Sequence, residues 1–247
     1  LDRNKKLAGR RVIVTGAASG MGAATARLFA EHGAMLTLFD MNADALAAVA
    51  QDTGGTAVVI NLADGPAVNA AVEAAASAMG GLDGIVNAAG ILRLKPLEET
   101  TFEEQDMLLR VNVGGIANMI RAALPHLRAS GNGTIVNFAS YGAYRPGTGL
   151  AIYGATKAGV IAMAKSLIND IGPAVRINTI CPGVINTPMN APRIESGHIG
   201  PERMKQINQL QRHGEAREVA EAVLFLTGPE SSFMSNAVLE VSGGQLN

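Results

Sequence analysis

Short runs rich in β-branched and other apolar residues, at 11–15, 35–39, 56–60, 84–87, 134–138, 175–180 and 238–241, alternate along the chain with longer Ala-rich stretches. The runs read as strands and the stretches as helices over 21–31, 43–51, 66–79, 102–129, 151–168 and 216–226. Short apolar strands separated by helices imply a parallel sheet covered on both faces. The expected class is α/β, a single doubly wound parallel sheet of Rossmann type with helices on both faces, residues 1–247 forming one domain. Local chemistry fits this pattern: Pro66 suits a first helical turn, and Thr101 with Glu104 reads as a capping box. Gly114 and Gly115 fall inside the long helix at 102–129, where each costs about 1 kcal/mol against alanine, so a close backbone approach is expected there. The segment 189–214 breaks the rhythm with Pro192, Pro201 and a short helix around 202–211. Its position after a strand is where a substrate lid would sit.

Composition changes little in this picture but narrows the function. Hydrophobic residues make up 48% and charged residues 17%, and the net charge of -1 offers no field for polyanions, so no nucleic acid is expected as a partner. The polar residues from Leu1 to Lys6 lead straight into a strand, and no apolar signal segment or membrane-length run follows. No membrane association and a cytoplasmic location are expected. The one cysteine, Cys181, reads as a small buried hydrophobe, and no Asp, Glu and His cluster suggests a metal.

The first strand runs into Thr15-Gly16-Ala17-Ala18-Ser19-Gly20-Met21-Gly22 and then a helix. Backbone amides in such a turn approach a pyrophosphate closely, although a tight strand-to-helix connection uses the same residues. Asp40 ends the second strand about 20 residues past the glycines, where a carboxylate accepts from ribose hydroxyls. Together the two features favour a dinucleotide. Tyr153 and Lys157 stand four apart and share one helix face. Bringing a phenol from its usual pKa of about 10 to near 7 requires roughly 4 kcal/mol, and a lysine charge about 4 Å away is of that size. An amphipathic helix with an incidental tyrosine has the same spacing. Ser140 ends the fifth strand at the carboxyl edge of the sheet, thirteen positions before Tyr153.

The residues Thr15-Gly-x-x-x-Gly-x-Gly22, Asn87-Ala88-Ala89-Gly90, Asn112, Ser140, Tyr153-x-x-x-Lys157 and Pro182-Gly183 resemble the short-chain dehydrogenase/reductase family over nearly the whole chain. The resemblance implies a nicotinamide cofactor held by Gly16, Ser19, Gly20, Met21, Gly22 and Asp40. It adds Asn61 and Leu62 near the adenine, where many relatives carry Asp then Val. It adds Asn87 to Gly90, Tyr153 and Lys157, and finally Pro182, Gly183, Ile185 and Thr187, the last at the carboxamide. It also implies Ser140, Tyr153, Lys157 and Asn112 as the catalytic set: Ser140 and Tyr153 on the substrate oxygen, Lys157 on the ribose and beside the phenol, and Asn112 anchoring a proton-relaying water. Asp40 points to NAD.

The expected activity is an NAD-dependent exchange of a secondary alcohol and a ketone with Tyr153 as general acid and base. Aromatic dihydrodiol dehydrogenation, to which the stretch from Ala88 to Arg93 has a local likeness, and 3-oxoacyl carrier-protein reduction are the enzyme alternatives. A catalytically silent NAD(H) sensor is the alternative from another class. Tyr141 and Tyr144 lack a lysine four residues on and read as pocket walls. Arg93 and Arg145 lie in loops at the carboxyl edge and are candidates for a substrate carboxylate, while His198 and His213 read as ordinary polar residues. Relatives pair the helices carrying Asn112 and Tyr153, and the small residues Gly114, Gly115, Ala158, Ala162 and Ala164 suit such packing, so a homotetramer is expected.

Overall fold

The computed structural model describes residues 5–145 and 147–246, so the first four residues of the polar lead-in lie outside it. The strands are β1 (Arg11–Thr15), β2 (Met35–Asp40), β3 (Thr56–Val59), β4 (Gly84–Asn87), β5 (Gly133–Phe138), β6 (Val175–Pro182), the two-residue β7 (Ile185–Asn186) and β8 (Gly214–Glu215), and β9 (Val238–Val241). Seven of them form one parallel sheet in the order β3-β2-β1-β4-β5-β6-β9. The expected strands are all present, and the pairing of β7 with β8 is an addition. The strand order reverses beside β1, between β2 and β4, which opens a crevice above their carboxyl ends.

The helices are α1 (Gly20–Glu31), α2 (Ala43–Thr53), α3 (Gly65–Met79), α4 (Phe102–Leu109), α5 (Ile116–Ala129), α6 (Ala151–Ile171), α7 (Ala191–Glu195), α8 (Pro201–Ile207) and α9 (Ala216–Thr227). Successive strand residues feed opposite faces: Ile13, Ile85 and Ile135 pack with α3, α5 and α6, while Val12, Val86 and Val136 pack with α1, α2 and α9. This is why the central strands carry apolar residues at successive positions, as Val12, Ile13 and Val14 do in β1 and Ile85 and Val86 in β4. Ile85 is 1% exposed, and truncating it to alanine would cost roughly 2–5 kcal/mol.

Two helical expectations need correction. The stretch 102–129 is not one α-helix: a π-helical turn over Arg110–Gly115 separates α4 from α5. The side chain of Asn112, inside that turn, is tied to Ile91, accepting from its amide at 2.8 Å and donating to its carbonyl at 3.0 Å. The helix expected at 202–211 stops at Ile207, because Asn208 turns into a bridge with Gln245 near the chain end. The capping box is present, Glu104 N donating to Thr101 Oγ1 and Thr101 N to Glu104 Oε2, both at 3.2 Å. A close approach exists at Gly115 alone, where a Cβ would lie 3.0 Å from Leu62 Cβ; Gly114 has room.

Candidate active site

The turn after β1 is built by contacts that exclude side chains. Gly16 has φ +66°, and a Cβ on it would lie 2.7 Å from Ala89 N; one on Gly22 would lie 2.1 Å from Gly16 O. Both substitutions would force backbone apart. Thr15 Oγ1 accepts from Ala89 N at 3.1 Å, fixing the 88–90 loop beside the turn. Ser19 caps α1 in extended conformation without using its hydroxyl, so the hydroxyl and the first-turn amides are not consumed by the cap. A cavity of about 280 Å³ opens there, lined by Gly16, Ser19, Gly20, Met21 and Gly22 from the turn. Asp40, Asn61, Leu62, Ala88, Ala89 and Gly90 complete most of the wall. A helix N-terminus facing a glycine cradle with no Arg or Lys on the described wall fits the pyrophosphate of a dinucleotide held by backbone amides.

Asp40 does not cap α2; Asn42 does, accepting from Ala45 N at 3.2 Å. The Asp40 carboxylate instead accepts from Ala18 N at 3.1 Å and Asn42 N at 2.9 Å, joining the glycine turn to the end of β2 with lone pairs left over. Asn61 Oδ1 accepts from Ala63 N at 3.0 Å. Asn87 is one of two expected cofactor residues, with Lys157, that line neither this cavity nor the larger one beside it. Its side chain is fully buried in the sheet, donating to Asn137 Oδ1 at 2.8 Å across β4 and β5, and it is not on the cavity wall.

A second cavity, of about 590 Å³, adjoins the first, since Met21, Thr187 and Met189 line both. Ser140, Tyr153, Pro182, Gly183, Ile185 and Thr187 are on its wall. Ser140 leaves β5 extended and accepts from Gly142 N at 3.0 Å, and its hydroxyl lies near enough to the Tyr153 phenol to hold the phenol's pKa down. One helical turn further on α6, Lys157 is buried and donates to Phe138 O at 2.9 Å, with Nζ 5.8 Å from the Tyr153 ring centroid. Asn112 Nδ2 donates to Thr156 Oγ1 at 3.1 Å, linking the π turn to α6. Lys157 and Asn112 lie behind the walls of both cavities, and a Cβ on Gly90 would meet Lys157 Nζ at 3.2 Å and Asn112 Oδ1 at 3.3 Å.

The electrostatics differ from the expectation that Lys157 depresses the phenol. Burial raises the Tyr153 pKa, and the groups that hold it down are Ser140 and Arg193, while Cys181 adds to the rise. Lys157 aims its ammonium at the Phe138 carbonyl, and burial lowers its own pKa to about 8. Arg193, on α7, is a wall residue that the sequence offered no motif to find.

Other candidates separate cleanly. Tyr141 lines the larger cavity, but Tyr144 does not: it packs edge-on against Tyr141 at 6.4 Å and is half-exposed. Partial desolvation, with Cys181 and Glu240 adding to it, raises the Tyr144 phenol, and burial raises the Cys181 thiol to about 11. Arg145 is on the wall, whereas Arg93 donates to Leu92 O and lies off it. His198 is on the wall, and His213 is bonded to Ile199 O at 2.6 Å. No group of three metal-ligating side chains occurs among the described residues.

A family model described as enoyl-(acyl carrier protein) reductase matches residues 16–245. The chain belongs to the short-chain dehydrogenase/reductase family. The dehydrogenase/reductase is 37% identical over 248 residues to the 2,5-dichloro-2,5-cyclohexadiene-1,4-diol dehydrogenase LinX of Sphingobium indicum, covering 97% of each chain. It is 35% identical to the 3-oxoacyl-[acyl-carrier-protein] reductase FabG of Thermotoga maritima, covering 97% of this chain and 98% of that one. Among solved structures, a 3-oxoacyl (acyl-carrier-protein) reductase from Agrobacterium tumefaciens with NADP bound superposes with a TM-score of 0.90 at 31% identity, covering 99% and 97%. As a member of this family, the dehydrogenase/reductase is an oxidoreductase acting on CH–OH groups with a nicotinamide cofactor.

Proposed function

We propose that this dehydrogenase/reductase interconverts a secondary alcohol and a ketone with NAD, Tyr153 serving as general acid and base. The observation that carries the reading is the continuity of the two cavities: Ser140 and Tyr153 face one, the glycine turn faces the other, and Met21 and Thr187 join them. The glycine-turn amides, Asp40 and Thr187 would hold the cofactor, which supplies the hydride acceptor or donor when bound. The Ser140 hydroxyl and Tyr153 phenol grip the substrate oxygen, and Tyr153 takes or gives its proton. Lys157, whose pKa burial lowers to about 8, lies one helical turn from Tyr153 with its Nζ beside Gly90 and Asn112 and is the group nearest at hand to pass a proton on. Tyr153→Phe is expected to lower kcat by at least a thousandfold with cofactor affinity nearly unchanged, measured by steady-state kinetics and cofactor titration. Turnover near the parent's would remove the assignment.

Three features support finer readings. Asp40 lines the smaller cavity, where a ribose 2′-phosphate would meet a like charge with no cation on the described wall, which favours NAD. The irregular segment 189–214 covers the larger cavity with Met189, Asn190, Arg193, His198 and Ile207, as a substrate lid within one domain would. The outer face of α4 exposes Phe102 and Leu109, and Gly114, Ala158 and Ala162 are not buried, which suits helix pairing in a homotetramer. Gly115 and Ala164 are buried and serve internal packing instead. Among the described residues no helix is long and apolar enough to cross a membrane, and a cytoplasmic enzyme remains our reading.

A further inference from the structure

The larger cavity carries positive charge with no carboxylate on its wall to balance it. Its charged residues are Arg145, Arg193 and Arg203, with His198 beside them, and no Asp or Glu is among the described residues lining it. Arg145, His198 and Arg203 are exposed, so water and counterions screen them at the mouth. Arg193 is different. It is half-buried, burial lowers its pKa, and no carboxylate is among the groups acting on it.

A guanidinium has five N–H donors in a planar fork. Arg193 makes a single protein contact with its fork, a long one of 3.4 Å from Nη1 to Asn190 Oδ1, and its Nε is buried with no partner. The residue is nonetheless held in place. Its carbonyl accepts from Ile199 N at 3.1 Å and from Ser196 Oγ at 3.2 Å, while Asn190 Nδ2 donates to Ile185 O at 2.9 Å. A buried donor without a partner is costly, and of the unpartnered buried donors among the described residues, which include Arg10 Nε, that of Arg193 belongs to a residue on the wall that holds Ser140 and Tyr153.

We infer that the alcohol or ketone turned over by this protein carries an anionic group, most simply a carboxylate, that seats on the Arg193 guanidinium in the cavity shared with Ser140 and Tyr153. The inference rests on the reading of Tyr153 as the acid and base of that exchange. A carboxylate satisfies the fork bidentately and neutralises the cavity, whereas a neutral diol or cyclic ketone leaves Arg193 unpaired, so the same side chain selects for one class and against the other.

The test pairs 2-oxo, 3-oxo and 4-oxo acids of four or five carbons with their methyl esters. Kinetics are measured at saturating reduced cofactor, so that the glycine turn is already filled, for the parent, Arg193→Met and Arg193→Lys. Calorimetric titration of each acid into proteins saturated with the oxidised cofactor, which cannot reduce it, reads binding without turnover. The parent is expected to favour at least one acid over its ester by about thirtyfold or more in kcat/KM. In Arg193→Met that ratio should collapse toward one through a rise in KM for the acid, and Arg193→Lys should recover part of it. Equal use of acids and esters by the parent, or a preference unchanged in Arg193→Met, overturns the anion site while leaving the alcohol and ketone reading intact. Arg193-dependent binding of an acid without turnover supports the anion site and counts against the reaction. Neither turnover nor Arg193-dependent binding overturns both. A loss in Arg193→Met confined to cofactor affinity, with the acid-to-ester ratio preserved, assigns Arg193 to the cofactor and overturns the inference.

Discussion

Replacing Lys157 by methionine is expected to make the fold more stable at neutral pH while removing turnover. The ammonium is buried on α6, and burial lowers its pKa from 10.5 to about 8. A lowering of about 2.5 at 1.36 kcal/mol each corresponds to about 3 kcal/mol of folding free energy lost below pH 8. Removing the bond from Nζ to Phe138 O returns about 1 kcal/mol of that, and methionine fills the vacated volume at small cost. The net expectation is a variant about 2 kcal/mol more stable than the parent at pH 7. The sign follows from proton counting. Between pH 8 and 10.5 the unfolded parent binds more protons than the folded one, so parent stability rises with pH across that window and the variant's does not. The variant's advantage should therefore be complete at pH 7 and shrink through 8 to 10.5. Tyr153 is raised in parent and variant alike, whereas the Cys181 thiol, which the Lys157 charge lowers, rises further in the variant; at pH 7 the thiol is protonated in both and leaves the difference unchanged. Urea unfolding followed by circular dichroism at pH 7 and 10, at one protein concentration, measures this. A variant less stable than the parent at pH 7, or a difference that does not change with pH, would refute the reasoning.

Three further outcomes are expected. Competition of NAD and NADP in kcat/KM should favour NAD by roughly a hundredfold, and Asp40→Ala with Met41→Arg should weaken or reverse this; parity in the parent would show that the carboxylate is spent on Ala18 and Asn42. Light scattering at micromolar concentration should give a tetramer mass, and a monomer would mean that exposed Phe102 and Leu109 cover nothing. Hydrogen exchange within 189–214 should slow when cofactor and substrate bind, and equal protection with and without them would remove the lid.

The sheet was legible because every strand carries apolar residues on both faces, as Val12, Ile13 and Val14 do, and because turn chemistry such as the Thr101 capping box is local. The break between α4 and α5 was not. The residues on either side, Leu108 and Ile116, stay apolar and buried as a continuous helix would require, and a slip in hydrogen-bond register leaves no mark in that pattern. Spacing placed Tyr153 and Lys157 on one face but could not say that Lys157 aims at the Phe138 carbonyl, a choice made by tertiary packing. Arg193 escaped for a related reason. It belongs to no motif, and only the folded chain brings it to the wall that holds Tyr153. Likewise Arg93 and Arg145 looked alike as loop residues until the fold put one on the wall and the other off it.

The small ribbon of β7 and β8 clamps residues 187–213 at both roots, Ile185 beside Gly214 and Asn186 beside Glu215. Everything between those roots is a closed excursion whose ends meet whatever its length. Lengthening such a loop is cheap, each doubling costing about 0.6 kcal/mol. The excursion can therefore be exchanged like a cassette, carrying Arg193 or some other recognition residue. Ser140, Tyr153 on α6 and the glycine turn after β1 lie outside the excursion and would be carried over with the rest of the fold.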